Sequence, residues 1–207
     1  MSDKMARCMT PGDISRMDDR VRITGTELLS ANWGRLSRVS LDYRRRDGQW
    51  TSQTREVYDR GDGAVILPYD PARGTVLLVR QFRLPAYLTA GHQGLIEACA
   101  GLLDQDAPAD CIRRETEEEL GYRLDDVAEL FTLYMSPGSV TERLAFFAAR
   151  YTPADRLNDG GGAAGEGEDI EVIEMTLDDA LAAVTRGEIV DGKTVILLQH
   201  ARLAGLL

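Results

Sequence analysis

Residues 100–122 read AGLLDQDAPADCIRRETEEELGY, with glutamates at 115, 117, 118 and 119. Carboxylates this close repel one another at neutral pH, and like charges at i,i+4 weaken a helix by a few tenths of a kcal/mol. A solvated acidic face tolerates such a cluster. So does a socket for a hard divalent cation, which takes carboxylate oxygens and completes its shell with water and substrate phosphate. The two readings differ in where the carboxylates point. Asp106 or Ala107 is placed to cap a helix, Pro108 sits in its first turn, Asp110 favours the positive end of the dipole, and Gly121 stops it. At roughly 100° per residue, Ile112, Thr116 and Leu120 form the inward stripe. Glu115 and Glu119 flank that stripe one turn apart, Glu118 lies beside Glu115, and Arg114 stands four residues before Glu118. Glu117 falls on the outer face with Arg113. Three carboxylates bordering an apolar stripe favour the socket.

The elements that must position this helix are mostly strands. Residues 21–70 are strand-like: Val39, Leu41 and Tyr43 alternate with polar residues, Asp47-Gly48 is a hairpin turn, and residues 51–58 return antiparallel. Ala64 to Tyr69 opens a new apolar strand, 71–74 is a turn, and 75–82 pairs back as a second buried strand. Gly91 to Ala98 is short and mixed. Two further strands follow the acidic helix, around 129–138 and 142–151. Residues 156–169 form a glycine-rich acidic loop, 170–175 alternates as a strand, and 177–187 is an amphipathic helix capped by Thr176 and stopped by Gly187. A last apolar helix spans 193–207. The expected division is a poorly ordered tail over 1–20, an N-terminal β unit over 21–60, and a main domain over 61–207.

Composition bounds the function. A formal net charge of −10 argues against a general nucleic-acid or anionic-membrane binder. It leaves room for a polyphosphate, because bound metal inverts the local field. Cys8, Cys99 and Cys111 show no CxxC spacing, and with two histidines in the chain neither a disulfide framework nor a His-rich metal site is expected. No apolar run approaches the roughly 20 residues that span a bilayer, and the first residues carry no apolar signal-peptide core. A cytoplasmic protein without a membrane or nucleic-acid partner is the expectation.

The stretch AGLLD…RRETEEELGY resembles the Nudix box, a glycine, a spacer, then R-E-x-x-E-E-x-G, at Gly101, Arg114, Glu115, Glu118, Glu119 and Gly121. The spacer is one residue shorter than the common box, its early glutamate is absent, and Thr116 occupies the usual apolar position. The flanking stretches REVYDRGDGA, RQFR, CAGLLD, LYMSPGSVTE, GEDIEV and EIVDGKT are similar to one subgroup, the GDP-mannose pyrophosphatases, in which the short spacer is expected. The resemblance covers nearly everything after about residue 22. It implies an α/β fold, the Nudix α/β/α sandwich with a mixed sheet, preceded by a β-rich dimerisation unit. It also implies Mg²⁺-dependent hydrolysis (Mn²⁺ as a substitute) of a nucleotide sugar, GDP-mannose, to GMP and mannose 1-phosphate. The alternatives are an ADP-ribose pyrophosphatase and a Nudix-fold protein that binds a nucleotide without cutting it.

The resemblance also assigns roles. The backbone carbonyl of Ala100 with Glu115, Glu119 and Glu168 would hold metal, and Glu118 would be a supporting or additional ligand. Glu166, Glu168 and Asp169 lie on a loop that could close to deliver a ligand or a general base, and Glu168 holds the matching register. Gly101 is the box glycine. Arg83 would contact a phosphate, Glu142 sugar or base hydroxyls, and Lys193 the nucleotide. Trp33, Thr54, Arg55 and Glu56 would complete the site of a partner in a homodimer, with Trp33 either stacked on the base or buried in a core.

Overall fold

The structure is a computed structural model and describes residues 20–103, 105–162, 165 and 167–207. The N-terminal tail up to residue 19, Cys8 and Glu166 lie outside the described residues. The chain divides into two compact units, one formed by the N-terminal segment to Gly61 with Ser136–Glu142, the other by Asp62–Met135 with Arg143–Leu207.

The first unit is an antiparallel three-stranded sheet of β1 (Val21–Ala31), β2 (Arg35–Arg44) and β3 (Trp50–Asp59). The hairpin joining β2 to β3 turns at Gly48, whose φ of 83° is open to glycine. Arg45 N–H bonds Gln49 O, and Gln49 N–H bonds the Asp47 carboxylate, which closes the loop. The segment 136–142 joins this sheet through Tyr58 N–H on Ser139 O and Thr141 N–H on Tyr58 O. Among the described residues of this unit none is buried.

The second unit is built on a seven-stranded mixed sheet. Its main path runs β10 (Glu171–Thr176), β5 (Thr75–Gln81), β4 (Gly63–Asp70), β9 (Arg143–Arg150) and β8 (Ala128–Tyr134). The short strands β6 (Leu95–Glu97) and β7 (Cys99–Leu102) pair with β5 and β4. β4 and β9 run parallel, and every residue of β4 but Tyr69 is buried. A strand covered on both faces needs such a continuous apolar run.

Alternate residues of β4 and β5 face opposite layers. Ala64, Ile66, Leu77 and Val79 pack with Ile112 and Leu120, on the side of α2 (Pro108–Glu115) and the turn that continues it. Val65, Leu67, Val76 and Leu78 pack with Leu177, Ala180, Leu197 and Leu198, from α3 (Leu177–Arg186) and α4 (Gly192–Leu203). This is the expected α/β/α sandwich on a mixed sheet. Thr176 caps α3 by accepting from Asp179 N–H, and Gly187 ends it with φ 75°. The last helix stops at Leu203, short of the expected 207. Among the elements not expected from sequence is α1 (Leu84–Ala90), which buries none of its residues and leaves Leu84, Tyr87 and Leu88 exposed. Among the described residues no helix is long and apolar enough to cross a membrane.

One contact ties the central strand pair to the last helix. Thr194 is fully buried, accepts from Ala98 N–H at 2.7 Å and donates to the Asp191 cap at 2.6 Å. Replacing Thr194 by valine keeps the shape and removes the acceptor of Ala98 N–H, while Asp191 keeps the residue-194 N–H and Lys193. Chemical denaturation of T194V should show a loss of about 2 kcal/mol, as expected for a buried group left unsatisfied. A loss under about 0.5 kcal/mol would show that the bond carries little.

Candidate active site

The strand from Glu97 to Gly101 and the helix behind it hold the chemistry. The carboxylate of Glu115 lies directly over Gly101: a Cβ at that glycine would stand 2.3 Å from the Glu115 Cδ. The box glycine is therefore a matter of close approach. Arg114 is placed over the outer side of the cluster, 3.1 Å from both Glu115 and Glu118, and so orients two of the box acids. Glu117 stands apart and is paired with Arg123 at 2.8 and 3.1 Å, while Arg113 pairs with Asp110.

The helix does not stay α-helical. From Thr116 to Leu120 it widens into a π turn, closed by Gly121 N–H on Thr116 O with Gly121 at φ 76°. Thr116, fully buried, donates its hydroxyl to Ile112 O at 2.6 Å, across the point where the turn widens. A wider turn rotates each residue by less than an α-helix does. Thr116, Glu119 and Leu120 consequently all face inward, and Glu119 is only 2% exposed. Regular 100° spacing put Glu119 on the flank of the stripe; the structure puts it beneath the strand.

There Glu119 receives Ala100 N–H at 3.3 Å and a hydrogen bond from the Cys99 thiol. Burial raises its pKa to about 7; the Cys99 and Ala100 bonds oppose that, and the charges of Glu115 and Glu168 add to it. The Cys99 thiol is itself pushed well above the usual range, first by burial and then by Glu119. It stays protonated and serves as a donor.

The glycine-rich loop is fastened to the π turn. Leu157 N–H bonds Gly121 O, Gly161 N–H bonds Glu119 O, and Gly162 N–H bonds Glu118 O, at 2.7 to 3.0 Å. These bonds take up carbonyls that the end of a helix leaves without intrahelical partners. Only glycine allows the approach: a Cβ at Gly160 would stand 2.4 Å from Glu119 O, and one at Gly162 would stand 2.4 Å from the Glu168 carboxylate. The expected closing loop is thus anchored over 157–162, and its anchoring brings Glu168 to a place where its charge acts on Glu119.

The remaining residues fall in both units. In the larger unit, Arg83 and Lys193 converge on Glu97, a buried carboxylate that sequence reasoning passed over because it sits in a three-residue strand with no motif around it. In the N-terminal unit, Glu142 pairs with Arg60 at 3.2 Å, and the Arg60 guanidinium lies 5.2 Å from the Trp33 ring. Trp33 is 71% exposed, which removes the core reading of that residue. Thr54, Arg55 and Glu56 follow one another on β3, with Arg55 bonded to Gln53 and Glu56 near Arg38.

Glu115, Glu119 and Glu168 offer hard oxygen donors whose mutual repulsion a divalent cation would relieve. Among the described residues no three or more His, Cys, Asp or Glu side chains are grouped so as to hold a metal ion by themselves. An ion such as Mg²⁺ is commonly held by one or two carboxylates and completed by substrate phosphate, so an open donor set of this kind fits it.

Residues 59–198 match the family described as NUDIX domain, and residues 20–58 match GDP-mannose pyrophosphatase NudK N-terminal domain. A Pectobacterium atrosepticum protein named GDP-mannose pyrophosphatase is 52% identical over 190 residues, covering 91% of this chain and 97% of its own length. A Yersinia enterocolitica protein of the same name is 48% identical over 192 residues, covering 92% of this chain and all of its own. The solved "Crystal structure of ADP compounds hydrolase" shares the fold, with a TM-score of 0.70 and 18% identity over 90% of this chain and 96% of that one.

Burial of Glu119 sets a pH-dependent cost. Its pKa is about 7 in the fold against an ordinary value of 4.5, so its ionisation opposes folding increasingly from about pH 4.5 to about pH 7. A shift of that size corresponds to roughly 3 kcal/mol. In metal-free protein, Glu119→Gln should melt with the wild type near pH 4.5 and several degrees above it at pH 8, and with Mg²⁺ added its turnover should fall by about two orders of magnitude. Equal melting temperatures at pH 8, or undiminished turnover, would contradict this account.

Proposed function

The chain belongs to the Nudix hydrolase family, and on that premise we propose that it hydrolyses the diphosphate of a nucleotide sugar, GDP-mannose, to GMP and mannose 1-phosphate. The observation that carries this reading is the likeness to relatives named GDP-mannose pyrophosphatase, which extends over 97% or more of their length and takes in both units of this chain. The N-terminal unit also matches a domain described for that enzyme.

The residues divide the work. Glu115, Glu119, Glu168 and the Ala100 carbonyl would hold divalent cations, Mg²⁺ in the first place and Mn²⁺ as a substitute. When bound, these cations neutralise the diphosphate and supply Lewis acidity to its oxygens. Arg114 keeps Glu115 and Glu118 in place. Arg83 and Lys193 meet the anionic substrate. Glu168, held against Gly162 and acting by its charge on Glu119, is the candidate for receiving a proton from attacking water. Trp33, Thr54, Arg55, Glu56 and Glu142 bind the nucleotide or sugar, Trp33 through its exposed ring. The protein works in the cytoplasm.

The functional form is a homodimer built through the N-terminal sheet. A three-stranded sheet is stable when one face is covered, and here no described residue of the unit is buried within one chain. Leu28 and Trp33 are at least half exposed, and Trp50 is 37% exposed.

With Mg²⁺, purified protein should release GMP from GDP-mannose with kcat/KM at least about tenfold above that for ADP-ribose, a preference of about 1.4 kcal/mol. A chelator should stop turnover and added Mg²⁺ restore it. A tenfold preference for ADP-ribose would replace the substrate, and full activity in chelator would remove the metal. Sedimentation velocity should give twice the mass of one chain; a monomer would refute the dimer.

A further inference from the structure

Glu97 takes no part in the chemistry above, yet it is 2% exposed. A buried carboxylate is unfavourable unless cations and hydrogen bonds satisfy it. Its partners are the two cations assigned to substrate. Arg83 Nε donates to one carboxylate oxygen at 3.0 Å, and Arg83 Nη2 donates to the other at 3.1 Å. Lys193 Nζ donates to the second oxygen and also reaches Asp191 at 3.0 Å. The grip on Arg83 is side-on. It leaves Nη1 outside the Glu97 contact, on a side chain that is 41% exposed.

The cluster lies within electrical reach of the box acids. Burial works against the Arg83 charge, but the Glu97 hydrogen bonds and the charges of Glu97, Glu119 and Asp191 outweigh it and raise its pKa. Arg83 and Lys193 thus have competing anions nearby. Without Glu97, these long side chains would be free to turn to the carboxylates of the metal socket or to wander in solvent. Glu97 also begins the strand stretch whose next residues bond Thr194 and Glu119, through Ala98 N–H and Ala100 N–H. One short piece of backbone therefore sets the cations and the acids together.

We propose that Glu97 is a positioning residue, which holds Arg83 and Lys193 as a fixed pair of cations for the substrate's phosphates and acts only through them. This rests on the nucleotide-diphosphate reading of the site.

Glu97→Gln keeps volume and one oxygen acceptor and removes the charge. Steady-state kinetics with Mg²⁺ should use whichever nucleotide-linked diphosphate the wild type cleaves best. KM should rise about tenfold or more while kcat stays within about threefold, the pattern of lost uniform binding. In a background lacking both cations, Arg83→Ala with Lys193→Ala, adding E97Q should raise KM by less than about threefold, because residues that act through one another are non-additive. An unchanged KM in E97Q, a loss confined to kcat or melting temperature, or a loss that still multiplies in that background would each overturn the proposal. Should E97Q not fold, Arg83→Lys carries the test. Lysine keeps the charge but cannot take the side-on grip, so KM should rise as in R83A, and a wild-type KM would overturn the proposal. An enzyme that prefers ADP-ribose displaces the substrate assignment and leaves this test in force.

Discussion

The site depends on a carboxylate held out of water. Glu119 is 2% exposed and shares its surroundings with the charges of Glu115 and Glu168. Nothing in the apolar layer of Ile112 and Leu120 compensates a charge placed there, so the compensation has to come from the backbone and from what the site binds. The π turn brings Glu119 inward, Ala100 N–H and the Cys99 thiol meet it, and the glycine loop bonds the turn's open carbonyls. A pKa of about 7 shows that these contacts only partly offset burial and repulsion. The residual strain is electrostatic, and divalent metal is the group whose charge would relieve it.

The strands and the sandwich were legible because their signals are local and periodic. β4 and β5 read as buried strands from continuous apolar runs, and α3 read from its stripe with Thr176 and Gly187 as caps. The box helix read correctly in its inward stripe of Ile112, Thr116 and Leu120 and in its stop at Gly121. Regular spacing misplaced Glu119, since the π turn that brings it inward is accompanied by a buried threonine and by loop bonds from forty residues away. No local pattern carries such a tertiary cause. α1 escaped for another reason: it is about two turns long, and its apolar Leu84, Tyr87 and Leu88 stay exposed instead of packing on the core.

The candidate acids were legible in the sequence and the residues that support them were not. Glu115, Glu118 and Glu119 stood out by type and spacing, and the family resemblance drew in Glu168, Arg83 and Lys193. Glu97 did not stand out, because a lone glutamate between isoleucine and alanine looks like many surface positions until its burial is known. Gly101, Gly160 and Gly162 could be named as glycines from sequence. Only the structure shows that each makes way for a particular atom: the Glu115 carboxylate, the Glu119 carbonyl and the Glu168 carboxylate.

A chain with a net charge of −10 has to bind an anion against its own field. Long-range attraction is unavailable to it, and at physiological salt the field of distant surface charges is screened within about 8 Å in any case. Selectivity for a diphosphate must therefore be built at short range. Two arrangements within the larger unit answer that need. On the proposed function, Glu115, Glu119 and Glu168 would concentrate positive charge by taking up cations, and Arg83 with Lys193 are cations already, paired with Glu97 and Asp191. In both, an acidic residue would prepare a positive surface. The acidity of the chain and affinity for a polyphosphate would then cease to conflict, because the acids nearest the substrate would serve to place the positive charge that meets it.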